Sequence, residues 1–373
     1  MRHMRQTQQR NSRIELLRLL GMVLIVCNHV LQLDKMPDAP LGARIIINTI
    51  CNFGGAGDWL FFGISAWFLC QEESPSLRRN LRRCWIFERQ LLYYSLTLLL
   101  ITYTAWRLGL GLHDEAFDHD YWLALGIRCA TPTLALLWWY PTAYILFLCL
   151  CVSLTRLLRA LGEPLHRSVC VIVVFQYMLI KDSRSWGYWV LLFVLQYVLI
   201  SYFVWYKRQW VNDRCLTRAL FLFGLALGIA SSALDVISNG DPYNYLNNPT
   251  KLPSAAMAMG LIFYQASAKP RYSRVLNKLS GCVLGAYLVM CFPPIEARTL
   301  VTATSYCART QPDPYLYILD RFAIVIGVFV VGCLYDLLRQ GIFAITFDRH
   351  KGRLFDRLWV RATSCLNQPT SAS

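Results

Sequence analysis

Long apolar runs separated by short polar segments dominate the chain. A helix needs about 20 largely apolar residues to cross a bilayer. Ten candidate spans lie at residues 16–33, 46–69, 86–105, 134–155, 168–180, 186–206, 217–237, 253–268, 280–297 and 318–338. The pattern predicts an all-α, polytopic membrane protein of about ten transmembrane helices. The fifth, eighth and ninth runs are short, which leaves the count open by one or two.

Composition and charge placement support this topology. Hydrophobic residues make up 56% of the chain and charged residues 16%, as in multi-pass membrane proteins. Of the 37 Lys and Arg residues, 25 fall on one side of the spans, nine on the other and three within them. The positive-inside rule therefore predicts that both termini are cytoplasmic. The net charge of +15 is spread over several loops, so it does not indicate nucleic-acid binding.

The loops leave no room for a soluble domain. Residues 1–340 are predicted to form the transmembrane domain, and residues 341–373 a basic cytoplasmic tail that is solvated and partly disordered near anionic lipids. The basic N-terminus has no cleavage site after the first apolar run, so it is interpreted as an uncleaved start and not as a signal peptide. The stretch 238–250 is rich in turn formers, and its amides could also meet sugar hydroxyls.

Cysteine and histidine spacing predicts neither a disulfide framework nor a metal site. The 14 cysteines are interpreted as small interior hydrophobes, and a bridge such as Cys129–Cys307 has no support from spacing. The histidines outside the spans lack ligand spacing. They are His3, His113, His119, His166 and His350.

Arg18 and His29 are the most informative pair, because both are ionisable and both lie in the first apolar run. Eleven residues of helix return to within about 20° of the same face and advance about 16 Å. The pair therefore predicts a cation at the membrane entrance and an imidazole near mid-bilayer on one stripe, suited to a long anionic ligand. Glu15 can pair with Arg18 on that face. A snorkelling arginine and a hydrogen-bonded interior histidine are the structural alternatives.

Four stretches, in order, resemble the membrane-bound acyltransferase type-3 family. The first contains the family's signature of an Arg, ten residues and a His. The stretches are RIELLRLLGMVLIVCNHV (13–30), GGAGDWLFFGISAWFL (54–69), LLWWYPTAYILFLCL (136–150) and NKLSGCVLGAYLVM (277–290). Departures occur at Ala66, where Gly is usual, at Asp58, where the acidic residue often comes one place later, and at Met290, where many members have a His.

The resemblance implies transfer of an acyl group from cytoplasmic acyl-coenzyme A to a hydroxyl of an extracytoplasmic glycan or lipid-linked sugar. Acetyl is the expected group, with succinyl as the alternative. His29 would act as general base, with a covalent acyl-histidine as the less favoured variant. Arg18 would hold a phosphate or the pantetheine arm. Further substrate or oxyanion candidates are Glu15, Asp58, Ser65, Tyr287 and the backbone amides of Gly54–Gly57.

A cluster of arginines precedes the third span and is a second candidate for donor binding. Arginine donates bidentately to phosphate, and coenzyme A carries several phosphate charges. Arg79 and Arg82 match an Arg-x-x-Arg motif of the family. The cluster comprises Arg78, Arg79, Arg82, Arg83 and Arg89. Topology determination is the alternative interpretation.

Together these observations predict an integral O-acyltransferase of a bacterial cytoplasmic membrane. No permanently bound cofactor is expected. Its partners would be membrane lipids, acyl-coenzyme A and a carbohydrate acceptor, while the oligomeric state stays open. The alternative is a transporter or flippase of a lipid-linked or small solute, with Arg18 and His29 lining the path; the lack of an internal repeat counts against it. A non-catalytic scaffold is the third hypothesis.

Overall fold

The computed structural model describes residues 11–34, 36–110, 117–179, 186–238, 251–350 and 352–366, and these contain helices and no strand. The helices are α1 (Ser12–Leu31), α2 (Leu41–Asn52), α3 (Gly54–Leu69), α4 (Leu77–Arg107), α5 (His119–Ala130), α6 (Trp139–Leu179), α7 (Trp186–Tyr206), α8 (Arg208–Asn212), α9 (Arg214–Ile237), α10 (Leu252–Ala266), α11 (Arg274–Ser280), α12 (Val283–Met290), α13 (Val301–Thr310), α14 (Pro314–Ile345) and α15 (Arg353–Leu366). A π-helical turn, Ile295–Leu300, precedes α13. The all-α prediction is confirmed.

Within the described residues, five helices are long and apolar enough to cross a membrane. They are α1, Trp139–Phe175 of α6, Trp189–Tyr206 of α7, α9 and α14. A sixth span arises if Arg274–Met290 and Ile295–Thr310, which meet at 79°, are counted together. These helices indicate a multi-pass membrane protein. The number of ten spans and the cytoplasmic position of both termini stay predictions.

The run 46–69, predicted as a single span, forms two helices instead. α2 ends at Asn52 and α3 begins at Gly54, with Phe53 between them. Successive glycines disfavour a continuous helix, and Gly54 also lies against α1. A Cβ on Gly54 would come within 2.4 Å of the Cβ of Asn28. The single-span prediction was therefore wrong, and the break brings the start of α3 against the end of α1.

The runs 134–155 and 168–180, predicted as separate spans, both fall within α6, which consists of two helices joined at a kink. Its backbone is non-helical at Gly162, where φ is 67° and ψ is 177°. Glycine adopts this positive φ without the clash that a Cβ would cause. His166, predicted to lie outside the spans, is in the helix that follows this kink and is buried, with its Nε2 3.1 Å from the carbonyl oxygen of Val198.

Two compact units divide the chain. The first comprises Met1–Glu72 and Leu158–Leu334, and the second Glu73–Leu157 and Tyr335–Ser373. In the first unit, α1 and α3 pack closely because a glycine of each helix faces the other. A Cβ on Gly57 would lie 2.6 Å from the carbonyl oxygen of Gly21. Small residues allow this approach between apolar helices, which have no strong hydrophobic drive to associate within lipid.

The second unit is held by a buried polar network and by the C-terminal helix. Asp336 accepts hydrogen bonds from the hydroxyl of Tyr94 at 2.6 Å and from Nε of Arg339 at 2.7 Å. Phe355 of α15 packs on Trp85, with ring centroids 6.4 Å apart. Residues 353–366 of the predicted tail are therefore ordered, because this amphipathic helix has an apolar side to bury, while the expected partial disorder of the tail stays a prediction. Residues 367–373 lie outside the described residues.

Candidate active site

His29 lies in the last turn of α1, and three side chains of the segment after α11 surround it. Sγ of Cys291 is 3.8 Å from each ring nitrogen of His29. A carboxylate oxygen of Glu296 is 3.5 Å from Nδ1. The ring of Tyr287 meets the imidazole edge-on, with centroids 6.3 Å apart. The imidazole therefore has a thiol and a carboxylate within reach of its nitrogens.

The ends of α1 show where His29 lies along the helix, while its expected depth near mid-bilayer stays a prediction. The helix begins at Ser12, where the side chain of Asn11 accepts a hydrogen bond from the backbone amide of Arg13. This cap satisfies one of the free amides that every helix start presents. The helix then ends at Leu31. His29 is consequently close to the C-terminal end of the helix.

A proline-induced break in the chain brings Cys291 and Glu296 to the same imidazole. Cys291 directly follows α12, and Pro293 and Pro294 come next. Proline has no backbone N–H to donate and interrupts a regular helix. The chain turns by 79° between the two helical segments and continues as the π-helical turn that carries Glu296. Short π-helical segments occur often at functional sites.

Asp58 adds a second carboxyl group to this site. It is buried in the first turn of α3, with 9% of its surface exposed, and it interacts electrostatically with His29 and Cys291. The contact between Gly21 and Gly57 holds this turn against α1. In the family this acidic residue often comes one place later in the chain, which put a catalytic role of Asp58 in doubt. The structure nevertheless places it close to His29, while its catalytic role stays a prediction.

The cluster is partly accessible. The side chain of His29 is 19% exposed and that of Glu296 is 42% exposed, and Cys291 is half-buried. Met290, where the family resemblance suggested a second imidazole, is buried. The ligand atoms of His29, Cys291 and Glu296 lie within 4.8 Å of one another, so they are the candidate set for a metal ion among the described residues.

Arg18 lies in the first half of the same helix and is held by an acidic partner. Its guanidinium donates to Glu15 at 2.6 Å, which is the predicted pair. The other carboxylate oxygen of Glu15 accepts from the hydroxyl of Ser280 at 2.5 Å. The Arg18 side chain is 24% exposed. Glu15 and His29 thus both contact the segment that contains α11, α12 and the π-helical turn.

Ser65 and the Gly54–Gly57 turn lie at different positions along the axis of α3. The turn begins against Asn28, the neighbour of His29 in the chain. Ser65 comes seven residues after Asp58, about 10 Å further along the helix axis. Because α3 runs from the end of α1 back toward Gly21, Ser65 is displaced toward the Arg18 end of α1. The turn amides are thus nearer to the imidazole than the hydroxyl is.

A polar cavity lies beyond the C-terminal end of α1. Its volume is about 380 Å³. The lining residues are Leu33, Asp34, Val301, Thr304, Ser305, Ala308 and Arg309. Thr304 is 4% exposed, and its hydroxyl has no hydrogen-bond partner among the described residues. Asp34 accepts from the hydroxyl of Tyr317 at 2.9 Å.

A buried arginine fixes this end of the site. Arg321 is fully buried and donates to the hydroxyl of Tyr317 at 2.7 Å and to the carbonyl oxygen of Val30. It thereby ties α14 to the residue that follows His29. The arginine was noted from the sequence as one of three basic residues within spans, but its partner at Val30 could not be identified from spacing.

The arginine cluster of the second unit is partly neutralised by acidic partners. Arg78 donates to Asp356 at 2.9 Å, Arg82 lies 3.7 Å from the same carboxylate, and Arg89 lies 3.4 Å from Asp348. Arg83 donates to Asn80 at 3.0 Å, and Arg79 is exposed.

The second unit also contains a cavity, called the second cavity below, with a volume of about 450 Å³. Its lining includes the arginines Arg89, Arg353 and Arg357 and the aromatic residues Trp85 and Phe347. Nε of Arg89 is buried without a hydrogen-bond partner among the described residues. Such a combination of guanidinium groups and aromatic rings suits a nucleotide phosphate.

Sequence reasoning missed Cys291, Glu296 and Thr304. The available signal for Glu296 was a carboxylate inside a predicted span, which is rare unless functional. Cys291 carried no signal of its own, because the other cysteines of the spans are mostly buried small residues. Thr304 became apparent only from its unpaired hydroxyl.

Comparison with known proteins identifies the type of domain. A family model described as an acyltransferase domain matches residues 11–337. The matched region therefore includes Arg18, His29, Asp58, Cys291 and Glu296. No curated protein and no solved structure matches the chain.

Proposed function

Because the chain belongs to the acyltransferase type-3 family, we propose that this membrane acyltransferase moves an acetyl group from acyl-coenzyme A to a hydroxyl of an extracytoplasmic glycan or lipid-linked sugar. The protein resides in a bacterial cytoplasmic membrane in this proposal. The observation that carries it is the His29 imidazole, which is partly accessible and lies against a carboxylate.

His29 serves as the general base. A proton on Nδ1 is directed toward Glu296, which leaves Nε2 with a free lone pair. This nitrogen accepts the proton of an attacking group, and Glu296 stabilises the imidazolium that results. The arrangement corresponds to a base oriented by a third group, as in hydrolytic triads. The amides at the start of α3 and the hydroxyl of Tyr287 are candidate donors to a developing oxyanion.

Each unit, taken by itself, offers arginine for the phosphate groups of the donor. In the second unit, Arg89, Arg353 and Arg357 line a cavity together with aromatic rings that can stack on a base. In the first unit, Arg18 keeps further N–H donors beyond the one that Glu15 engages, because a guanidinium has five. These features support acyl-coenzyme A as the donor. Arg79, also in the second unit, is exposed.

The acceptor hydroxyl enters from the cavity at the end of α1. Asp34, Thr304, Ser305 and Arg309 line it with acceptor and donor groups, as a carbohydrate requires. Buried polar groups normally have hydrogen-bond partners. The unpaired hydroxyl of Thr304 is therefore available to a sugar hydroxyl.

The test uses membrane vesicles from cells that express the chain, incubated with labelled acetyl-coenzyme A and their own glycans. The parent is expected to place label into an alkali-labile ester on membrane glycan. His29→Ala is expected to lower this transfer by about 100-fold or more, the usual contribution of a general base. His119→Ala is the matched control, because His119 is exposed on α5, in the second unit.

Full transfer by His29→Ala would remove His29 from the mechanism. Absence of ester label in the parent, combined with uptake of a labelled solute that depends on Arg18 and His29, would instead favour transport. Because vesicle orientation decides which face meets the donor, inside-out and right-side-out preparations are compared. The proposal requires donor access from the cytoplasmic face.

A further inference from the structure

Three groups at the end of α1 are arranged as a nucleophile, a base and an orienting acid. The imidazole of His29 has the thiol of Cys291 at 3.8 Å and the carboxylate of Glu296 at 3.5 Å, and the three groups lie within 4.8 Å of one another. We propose that Cys291 is a catalytic nucleophile that carries the acyl group as a thioester between donor and acceptor. This inference rests on the proposed acyltransferase function.

The position of the sulfur supports this assignment. With Glu296 at Nδ1, the nitrogen left to act as base is Nε2, and Sγ of Cys291, which is 3.8 Å from both ring nitrogens, lies within reach of it. A thiol is also the more effective nucleophile, because thiolates are intrinsically reactive and His29 is placed to accept the thiol proton.

Accessibility separates Cys291 from most other cysteines of the chain. Cys27, Cys51, Cys282 and Cys333 are all buried, whereas Cys291 is half-buried and carries a free thiol. Its backbone lies at the bend between the two helical segments. A residue at such a break can present its side chain to a substrate without the neighbouring turns of a continuous helix.

The first half-reaction transfers the acyl group from one sulfur to another. His29 accepts the thiol proton of Cys291, and the thiolate attacks the carbonyl carbon of the donor. The bond between this carbon and the coenzyme A sulfur then breaks. The departing thiolate takes the proton from His29, which yields free coenzyme A and acyl-Cys291.

The second half-reaction returns the enzyme to its starting state. His29 accepts the proton of the acceptor hydroxyl, whose oxygen attacks the carbonyl carbon of acyl-Cys291. The carbon–sulfur bond breaks, and the Cys291 thiolate takes the proton back from His29. Donor and acceptor can therefore occupy the site one after the other, which corresponds to ping-pong kinetics.

The experiment follows the acyl group on the purified full-length protein. The parent is mixed with acetyl-coenzyme A in the absence of acceptor, quenched in acid and digested for peptide mass spectrometry. The peptide that contains Cys291 is expected to carry an acetyl group that neutral hydroxylamine removes, as it does from thioesters. Acetyl-Cys291 should not form in His29→Ala.

Variants separate a covalent role from a structural one. Cys291→Ala is expected to lower glycan acetylation about 100-fold or more, as removal of a nucleophile does. Cys291→Ser keeps the shape of the side chain, and any acetyl group that it acquires should resist neutral hydroxylamine. Cys215→Ser is the matched control, because Cys215 is exposed on α9. Melting of each detergent-solubilised variant is compared with that of the parent.

Three results would overturn the assignment. The first is parental activity in Cys291→Ala without any acetylated thiol, which would leave the acyltransferase function intact and indicate direct transfer. The second is an acetyl group on the peptide of His29. The third is a stoichiometric zinc ion in the active protein that Cys291→Ala loses, since the sulfur would then be a ligand. Absence of transfer by the parent itself would overturn the proposed function as well.

Discussion

Replacement of Glu296 by Gln isolates the electrostatic part of the proposed mechanism. The substitution keeps the size of the side chain and removes its charge. Two unit charges 3.5 Å apart, the distance between Nδ1 of His29 and the carboxylate, interact by about 1.2 kcal/mol in water and about 4.7 kcal/mol at an effective dielectric constant of about 20. Because the Glu296 side chain is 42% exposed, solvent screening brings the expected loss to about 1–2 kcal/mol.

This loss should appear in kcat rather than in KM. In the proposed mechanism His29 gains its charge only as it takes up a proton, so Glu296 stabilises the transition state more than the bound substrate. A loss of about 1–2 kcal/mol corresponds to a decrease of about 5- to 30-fold in kcat. The assay is steady-state transfer of labelled acetyl groups to membrane glycan over a range of donor concentrations.

Matched variants make the result interpretable. Glu296→Asp retains the charge on a shorter side chain and should keep more activity than Glu296→Gln. Glu73→Gln removes an exposed carboxylate from the second unit and should leave kcat unchanged. An unchanged kcat in Glu296→Gln, or a rise in KM alone, would refute the orienting role of Glu296.

Three further substitutions test other parts of the site. Gly57→Ala places a Cβ 2.6 Å from the carbonyl oxygen of Gly21 and should lower the free energy of unfolding by about 1–3 kcal/mol, measured by thermal melting in detergent. Thr304→Val removes the unpaired hydroxyl of the cavity and should raise the KM for the acceptor several-fold at unchanged donor KM. Arg89→Ala removes a guanidinium from the second cavity and should weaken binding of coenzyme A about tenfold, measured by calorimetry.

The controls for these variants come from positions that lack the same contacts. Gly327→Ala introduces a methyl group where nothing lies within 4 Å, so it should not destabilise the protein. Arg107→Ala removes an exposed arginine at the end of α4. Equal effects of Gly57→Ala and Gly327→Ala would contradict the close packing of α1 and α3, and equal coenzyme A binding by Arg89→Ala and the parent would remove this cavity from donor recognition.

Local sequence rules predicted the contents of α1 well. The apolar run predicted the helix, the three-residue spacing predicted the Arg18–Glu15 pair, and the ordered motifs predicted the family. These features depend on neighbours within a few turns or on a pattern over the whole chain. Helix bounds were less accurate, because Asn11 begins α1 earlier than hydropathy alone indicated.

The partners of His29 could not be predicted in the same way. Cys291 and Glu296 lie more than 260 positions away in the chain, and hydropathy favoured a single span over 280–297. The two prolines within that run were the signal of a break in the helix, since a proline pair cannot continue a regular helix. Hydropathy records how apolar a segment is, but it does not record where the segment bends.

The break at the prolines also explains how polar side chains, which are costly to bury in an apolar environment, can lie beside an apolar helix. A straight helix from Val283 onward would project Cys291 and Glu296 in directions about 140° apart, because five residues advance about 500° around the axis. The bend of 79° and the π-helical turn change this relation, and both side chains reach the imidazole of His29. The chemistry proposed for this protein thus depends on an irregular segment, next to a pair of helices that pack closely at Gly21 and Gly57.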